Sequence, residues 1–152
     1  MKKRKIIIGA DHAGYALKEY IKTKLQDDFD VVDLGNNKFD PKDDYPDFGF
    51  MVSMEVAKTK STGILVCGSS FGICIVANKQ KGVRAVSINN IPEAIKSREH
   101  NDANIICLSG WNTKSKDVMG IVKAFLNTKL SKAPRHSRRL KKISRFENLH
   151  WK

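Results

Sequence analysis

The sequence has 152 residues, which is enough for one domain with a substantial buried core. Its composition, 41% hydrophobic and 29% charged, is ordinary for a soluble globular protein, and no apolar run approaches the roughly 20 residues that span a bilayer. The amino-terminal apolar run, residues 6–8, is too short for the core of a signal peptide. We therefore expect a cytoplasmic protein with a single domain over residues 1–152 and no membrane partner.

The cysteines and histidines do not form a recognisable metal or disulfide pattern. Cys67, Cys74 and Cys107 contain no CxxC pair, which agrees with a reducing compartment. The four histidines include no HExxH motif and no cysteine–histidine spacing typical of zinc. We expect no structural metal.

The net charge of +12 is concentrated at the carboxyl end. Residues 1–117 carry 18 basic and 15 acidic residues, whereas residues 118–152 carry 10 basic residues and 1 acidic residue. Such a tail could bind nucleic acid, a membrane surface or phosphorylated small molecules. On charge alone, a solvated basic helix is the simplest explanation.

Short β-branched runs alternate with longer amphipathic stretches along the chain. The runs predict five strands, at residues 5–9, 31–35, 63–68, 84–88 and 104–110. The stretches predict six helices, within residues 14–26, 45–60, 72–82, 92–103, 113–130 and 135–147. In the first helix, Lys18 and Lys22 should lie opposite the apolar face. Gly82 should cap the end of the third helix, and Thr113 the start of the fifth.

This alternation predicts an α/β fold with a parallel sheet covered on both faces. Ligands of such sheets lie beyond the carboxyl ends of the strands, near the point where the strand order reverses. The residues that follow the strands are therefore the first candidates for a site. They are Asp11 and His12 after the first strand, residues 67–72 after the third, and Gly110 and Trp111 after the fifth.

The stretch "CGSSFG", residues 67–72, predicts a strand-to-helix turn whose backbone N–H groups could hold an anion. It matches neither the P-loop nor the GxGxxG pattern. A thiol beside a helix N-terminus can act as a base or nucleophile near neutral pH, although a buried cysteine is often only a small core residue. Asp11 likewise could contact sugar hydroxyls or simply cap the adjacent helix.

Two further candidates lie later in the chain. His100, near the end of the fourth helix, could titrate near physiological pH or satisfy helix carbonyls. Arg135 and Arg139 are four residues apart on the last helix, where two guanidinium groups could bind one phosphate.

Six motifs, in order, resemble the type B ribose-5-phosphate isomerase family, which includes the galactose-6-phosphate isomerase subunits. The resemblance extends from residue 5 to about residue 143 and rests on "GADHAG", "DYPDF", "ILVCGSSFGICIVANK", "GVRAV", "SREHNDANII" and "RHSRRL". It implies a Rossmann-like three-layer fold with a five-stranded parallel sheet and a C-terminal basic helix. It also implies an aldose–ketose isomerase of the pentose phosphate pathway that needs no cofactor or metal. The assembly would be a homodimer or dimer of dimers with a shared active site.

The resemblance also implies roles for individual residues. Cys67 falls on the catalytic base and His100 on the acid that opens the sugar ring, and Ser69 could hydrogen-bond the thiolate or the enediolate. The other implied contacts with the phosphorylated sugar are Asp11, His12, Tyr45, Gly68, Ser69, Ser70, Phe71, Gly72, Asn101, Arg135 and Arg139. One branch of the family has a glutamate just after the turn as its base, but this chain has Ile73 there and so resembles the cysteine branch.

The chain departs from the family at two places. Ser70 replaces a glycine, which predicts strain if that position has a positive φ, and Phe71 replaces a smaller residue. Trp111 stands where the family usually has a phosphate-binding arginine. These departures leave open an isomerase of another sugar phosphate, such as a hexose 6-phosphate, or a non-catalytic nucleic-acid-binding relative. We disfavour nucleic acid because the basic tail has few aromatic residues for base stacking.

Overall fold

The computed structural model describes residues 3–151 and contains one five-stranded sheet. The strands are β1 (Lys5–Ala10), β2 (Asp30–Asp33), β3 (Thr62–Cys67), β4 (Ala85–Ser87) and β5 (Ile105–Ser109). Their order across the sheet is β2-β1-β3-β5-β4, and every pairing is parallel. The chain moves to one side of β1 for β2 and to the other for β3, so the order reverses between β1 and β3.

Six α-helices connect and flank these strands. They are α1 (Tyr15–Leu25), α2 (Tyr45–Thr59), α3 (Phe71–Ala77), α4 (Ile91–Asn101), α5 (Ser115–Asn127) and α6 (Pro134–His150). Each of the five predicted strands and six predicted helices is present, which confirms the α/β fold with a parallel sheet.

The helices cover both faces of the sheet, because alternate strand residues point in opposite directions. Ile6 and Ile8 pack with residues of α1 and α5, among them Ile21 and Phe125. Ile7 and its neighbours on the other face pack with α2 and α3. The core of each face consists mainly of buried aliphatic side chains, and the sheet is the middle of three layers.

Helix α6 lies outside these layers and carries the basic tail. It contacts α4 and reaches the turn after α3, where the Gly82 N–H donates to a Glu147 carboxylate oxygen at 3.3 Å. Both the expected three-layer arrangement and the C-terminal basic helix are therefore confirmed.

Two predicted helix caps were wrong. Helix α3 ends at Ala77, not at Gly82, because the Asn78 side chain pairs with both backbone groups of Ala85 and turns the chain toward β4. Helix α5 begins at Ser115 with Lys114, not Thr113, at the capping position. These errors share a cause: a cap depends on backbone direction, which residue type alone does not fix.

Lys18 was also misplaced by the helical pattern. Its side chain is fully buried, and its Nζ contacts Asp33 Oδ2 at 2.5 Å and the Asn36 carbonyl oxygen at 3.1 Å. The segment after β2 covers this part of α1, so a charged residue on the polar side of the helix becomes an interior ion pair.

Candidate active site

The point where the strand order reverses brings the ends of β1 and β3 together. Ala10 pairs with Val66, and the Asp11 N–H donates to the Val66 carbonyl oxygen at 3.3 Å. Asp11 is therefore adjacent to Cys67, the last residue of β3. Both residues are buried, at 6% and 4% exposure.

The end of β5 fixes the backbone of the turn that follows Cys67. The Cys67 carbonyl oxygen accepts from the Gly110 N–H at 2.8 Å. The Gly68 carbonyl oxygen accepts from Ser109 Oγ at 2.6 Å and from the Trp111 N–H at 3.2 Å. With both carbonyls held by β5, backbone N–H groups of the turn are free to face the thiol.

The Cys67 thiol lies among three of these donors. Burial raises the pKa of Cys67, while hydrogen bonds from the backbone N–H groups of Ile73, Ser70 and Ser69 act to lower it. The net pKa lies above the ordinary thiol value. The turn therefore provides a converging set of N–H dipoles, which stabilise negative charge at the sulfur or on a ligand beside it.

Ser70 adopts the left-handed conformation, with φ 72° and ψ −21°. This confirms that the position where the family usually has glycine requires positive φ. The Ser70 hydroxyl lies 2.6 Å from Ser87 Oγ and also bonds the Ser69 carbonyl oxygen. The side chain is thus tied to β4, which offsets part of the conformational cost.

Two aromatic rings border the turn. The Tyr45 ring approaches Gly72 so closely that a Cβ there would lie 2.7 Å from Tyr45 Cζ. The Trp111 indole covers Gly68 in the same way, although 73% of its surface is exposed. Phe71 points outward and is 64% exposed. A side chain at either glycine would therefore have to displace the neighbouring ring.

Asp43 orients His12 and was not found from the sequence. Asp43 Oδ1 accepts from the His12 backbone N–H at 2.8 Å and lies 2.7 Å from His12 Nδ1. The Asn36 side-chain amide bonds the other carboxylate oxygen. The Asp43 hydrogen bond raises the pKa of His12. The acidic pair before Tyr45 was the only signal in the sequence, and it is indistinguishable from ordinary loop polarity.

Asp11 has the capping role that the sequence left open. Its Oδ1 accepts from the Gly14 N–H at 3.0 Å and so caps a short 3-10 turn, His12–Gly14. Burial raises the pKa of Asp11. We call Asp11, His12, Tyr45 and residues 67–72 the turn cluster.

The remaining predicted residues lie near the amino ends of the strands, opposite the carboxyl ends where the turn cluster lies. His100 and Asn101 end α4, just before β5 begins, and the Asn101 carbonyl oxygen accepts from Arg84 Nε at 2.9 Å. Arg84 immediately precedes β4. We call His100, Asn101, Arg135 and Arg139 the arginine cluster.

A second histidine joins the arginine cluster. The His100 and His136 rings stack with their centroids 4.3 Å apart and an interplanar angle of 8°. Within residues 3–151, the buried His136 Nδ1 has no hydrogen-bond partner. Burial lowers the pKa of His136, and the charges of His100, Arg135 and Arg139 lower it further. The sequence offered His136 only as a neighbour of the arginines.

The two clusters do not meet within one chain. The turn cluster follows the carboxyl end of β3, whereas His100 and Asn101 precede the amino end of β5. Gly63 pairs with Ile105 and Cys67 with Ser109, so the two edges are separated by the full length of these strands. Four steps along a parallel strand amount to about 13 Å.

In the part of the chain that the structure describes, no group of three or more histidine, cysteine, aspartate or glutamate side chains is placed to hold a metal ion. Nor is any helix there long and apolar enough to cross a membrane.

Comparisons with known proteins match this architecture and nearly the whole chain. Residues 6–143 match the model of the family described as Ribose/Galactose Isomerase. The "Probable ribose-5-phosphate isomerase B" of Mycoplasma genitalium is 44% identical over 148 residues, covering 93% of this chain and 95% of that protein. The "Ribose-5-phosphate isomerase B" of Mycobacterium tuberculosis is 38% identical, covering 96% and 91%.

Solved structures give the same result. The crystal structure of ribose-5-phosphate isomerase B from Mycoplasma genitalium, with bound ribulose-5-phosphate, superposes with a TM-score of 0.92 at 41% identity, covering 97% of this chain and 99% of that one. The type B enzyme of Trypanosoma brucei gives 0.90 at 38% identity, covering 97% and 100%. The resemblance found in the motifs is confirmed, and the chain belongs to the ribose/galactose isomerase family.

Proposed function

We propose that this protein interconverts ribose 5-phosphate and ribulose 5-phosphate, a step of the pentose phosphate pathway. The observation that carries this proposal is the Cys67 thiol surrounded by the N–H groups of the following turn, in a chain whose relatives are named ribose-5-phosphate isomerase B. One solved relative was crystallised with ribulose-5-phosphate.

The turn cluster suits the enediolate chemistry of this reaction. Moving the carbonyl group between C1 and C2 requires a base that removes the C2 proton and returns it to C1. The Cys67 thiolate takes that role, and the N–H groups around it stabilise the developing oxyanion. Losing one such donor typically costs about 10²–10³ in kcat.

The raised pKa of Cys67 sets the direction of the pH dependence. The thiolate is the base, and its fraction grows with pH until the thiol is fully ionised. We therefore expect kcat/KM to rise from neutral to alkaline pH.

The other predicted residues bind and open the sugar. Asp11, His12 and Tyr45 line the turn from the β1 and α2 sides and contact hydroxyl groups. Arg135 and Arg139 bind the 5-phosphate, and His100 and Asn101 act at the ring oxygen and its neighbours. These are proposed roles, supported by the residue types and by the positions of the two clusters.

Because the clusters lie at opposite sheet edges, one active site needs the turn cluster of one chain and the arginine cluster of another. We therefore propose a homodimer with two shared sites. An apolar surface on α2 and α3 is available for association: Phe50, Met54, Phe71 and Ile75 are each at least 45% exposed. On each helix the two residues are four apart and so share a face.

The first test follows ribose 5-phosphate by proton NMR in deuterated buffer without added metal. We expect ribulose 5-phosphate to appear with deuterium at C1, and the C2 proton of ribose 5-phosphate to exchange with solvent deuterium. Cys67→Ala should abolish both, whereas Cys74→Ala, which removes a thiol that is hydrogen-bonded to Cys107, should retain activity. Conversion by folded Cys67→Ala at the wild-type rate would exclude Cys67 as the base.

The second test separates a shared site from a single-chain site. Cys67→Ala and His100→Ala, each inactive alone, are unfolded together and refolded. In a mixed dimer one site carries both changes and the other carries neither, so random pairing restores about a quarter of the wild-type activity. No recovery, with mixed dimers verified by mass spectrometry, would contradict the shared site.

A further inference from the structure

The amino edge of the sheet carries a basic cavity that the proposed reaction does not use. Its volume is about 620 Å³, and five basic residues line it: Arg4, Lys5, Lys60, Arg84 and Arg98. Among the described residues, Asp102 is the only acidic one in this lining. The other lining residues are glycine, asparagine, serine and threonine, so the wall is mainly polar and contains no large apolar side chain.

Both oxygens of the Asp102 carboxylate already form ion pairs with arginines of the lining. Asp102 Oδ2 lies 2.9 Å from Arg84 Nη2, and Asp102 Oδ1 lies 2.9 Å from Arg98 Nη1. After that neutralisation, the residues around the cavity retain a formal charge of +4, with five cations against one anion.

Arg4 is held in place by neutral groups only. Its Nη1 donates to the Leu126 carbonyl oxygen at 2.6 Å and its Nη2 to Thr62 Oγ1 at 2.7 Å. Burial lowers the pKa of Arg4, and the nearby charge of Arg98 lowers it further. Arg98 is paired with Asp102, but Arg4 has no carboxylate partner among the described residues, so its positive charge favours an anion there.

The cavity continues toward α6. A second cavity of about 520 Å³ shares Arg84, Asp102 and Ser144 with the first and adds Lys141 and Arg145. The second cavity is also lined by Leu140, Asn148 and Leu149. We call the two adjoining cavities the amino-edge groove. None of the turn cluster or arginine cluster residues lines it.

From this charge and shape we propose that the amino-edge groove binds a short chain of linked phosphates, such as a tri- or tetraphosphate anion. A formal charge of +4 matches more than one phosphate, and an elongated groove fits a linear ligand. Arginine, lysine and hydroxyl groups are the donors that phosphate oxygens prefer. Single-stranded nucleic acid fits less well because the lining has no aromatic ring on which a base could stack.

Calorimetric titration with sodium tripolyphosphate at 150 mM salt, on the intact chain, tests the proposal. We expect one ion per chain, and orthophosphate should bind much more weakly. Lys5→Gln with Lys60→Asn removes two groove charges at partly exposed and exposed positions, and asparagine suits the left-handed backbone of Lys60. We expect at least about a tenfold loss of affinity, since each ionic hydrogen bond contributes about 1.5 kcal/mol or more.

Two pairs of control substitutions distinguish binding in the groove from general charge attraction and from binding at the arginine cluster. Lys38→Gln with Lys123→Gln removes the same charge from exposed positions outside the groove and should change affinity less than twofold. Arg135→Gln with Arg139→Gln should also leave tripolyphosphate binding intact. An equal loss in the first control, or loss only in the second, would overturn the proposal. So would an RNA oligonucleotide that binds more tightly than tripolyphosphate and competes for the groove.

Discussion

Replacing Ser70 with glycine and, separately, with alanine isolates the backbone strain of the turn after Cys67. Ser70 has φ 72°, where a residue with a Cβ pays about 1–2 kcal/mol that glycine avoids. Both variants lose the 2.6 Å contact between Ser70 Oγ and Ser87 Oγ, worth about 1 kcal/mol. That loss therefore cancels when the two variants are compared.

The remaining difference favours glycine. The glycine variant avoids the strain, which stabilises its folded state. It loses about 0.5–1 kcal/mol of unfolding free energy because glycine has more conformational freedom in the unfolded chain. We expect Ser70→Gly to be more stable than Ser70→Ala by about 1 kcal/mol, or about 2–4 °C in Tm for a chain of this size. Against wild type, Ser70→Ala should lose about 1 kcal/mol, and Ser70→Gly should be nearly neutral.

Urea denaturation of the three proteins, with Tm from calorimetry as a second measure, is the assay. The slope of unfolding free energy against urea should be the same in all three, since the exposed surface does not change. If Ser70→Ala were as stable as Ser70→Gly, the left-handed backbone at Ser70 would store no strain.

Three further predictions follow from other contacts. Asp43→Asn should lower the pKa of His12, because the charged partner 2.7 Å away is lost. An NMR titration of the imidazole measures this pKa, and an unchanged value would exclude Asp43 as the cause of the raised pKa. Trp111→Arg should lower the KM for the sugar phosphate by about tenfold, because the arginine would add one ionic hydrogen bond to the phosphate. Trp111→Phe adds no such bond and should leave KM unchanged, so equal KM values for the two variants in steady-state kinetics would contradict the prediction. Lys18→Met should destabilise the fold by about 3 kcal/mol, since it leaves the partly buried Asp33 carboxylate with only one of its two lysine partners. Burial acts to raise the pKa of Asp33, but hydrogen bonds from both lysines hold it below its usual value. The stabilisation by the ion pair is therefore complete above about pH 4 and is lost as the pH falls further. Urea titrations at several pH values should show a weaker acid dependence of stability in the variant.

The sequence was sufficient for the elements and their layering, because both depend on local pattern. The central strands β1, β3 and β5 are apolar runs that are almost entirely buried, and helices α1, α2 and α5 each have a buried apolar stripe. The positive φ at Ser70 did not follow from residue type, because this chain has serine there. The resemblance to a family that usually has glycine at this position raised it only as a condition, and the structure shows a φ of 72°.

What the sequence missed depends on distant segments meeting. Lys18 reads as a solvent-facing helical residue, and only the segment after β2 makes it an interior cation. Asp43 reads as loop polarity until the loop folds against His12. The resemblance implied a site shared between subunits, but residue order alone did not show which predicted residues would lie apart, since it does not tell which end of the sheet a helix end reaches.

The turn after Cys67 also determines which changes the site can tolerate over evolution. Its anion donors belong to the main chain, so replacing a side chain at Ser69, Ser70 or Ile73 does not by itself remove one. Proline is the exception, since it has no N–H group. The turn can therefore drift in sequence, as the outward-facing Phe71 illustrates, provided that its backbone dihedral angles and its attachment to β5 persist. Selection there acts on the path of the chain more than on the identity of its residues.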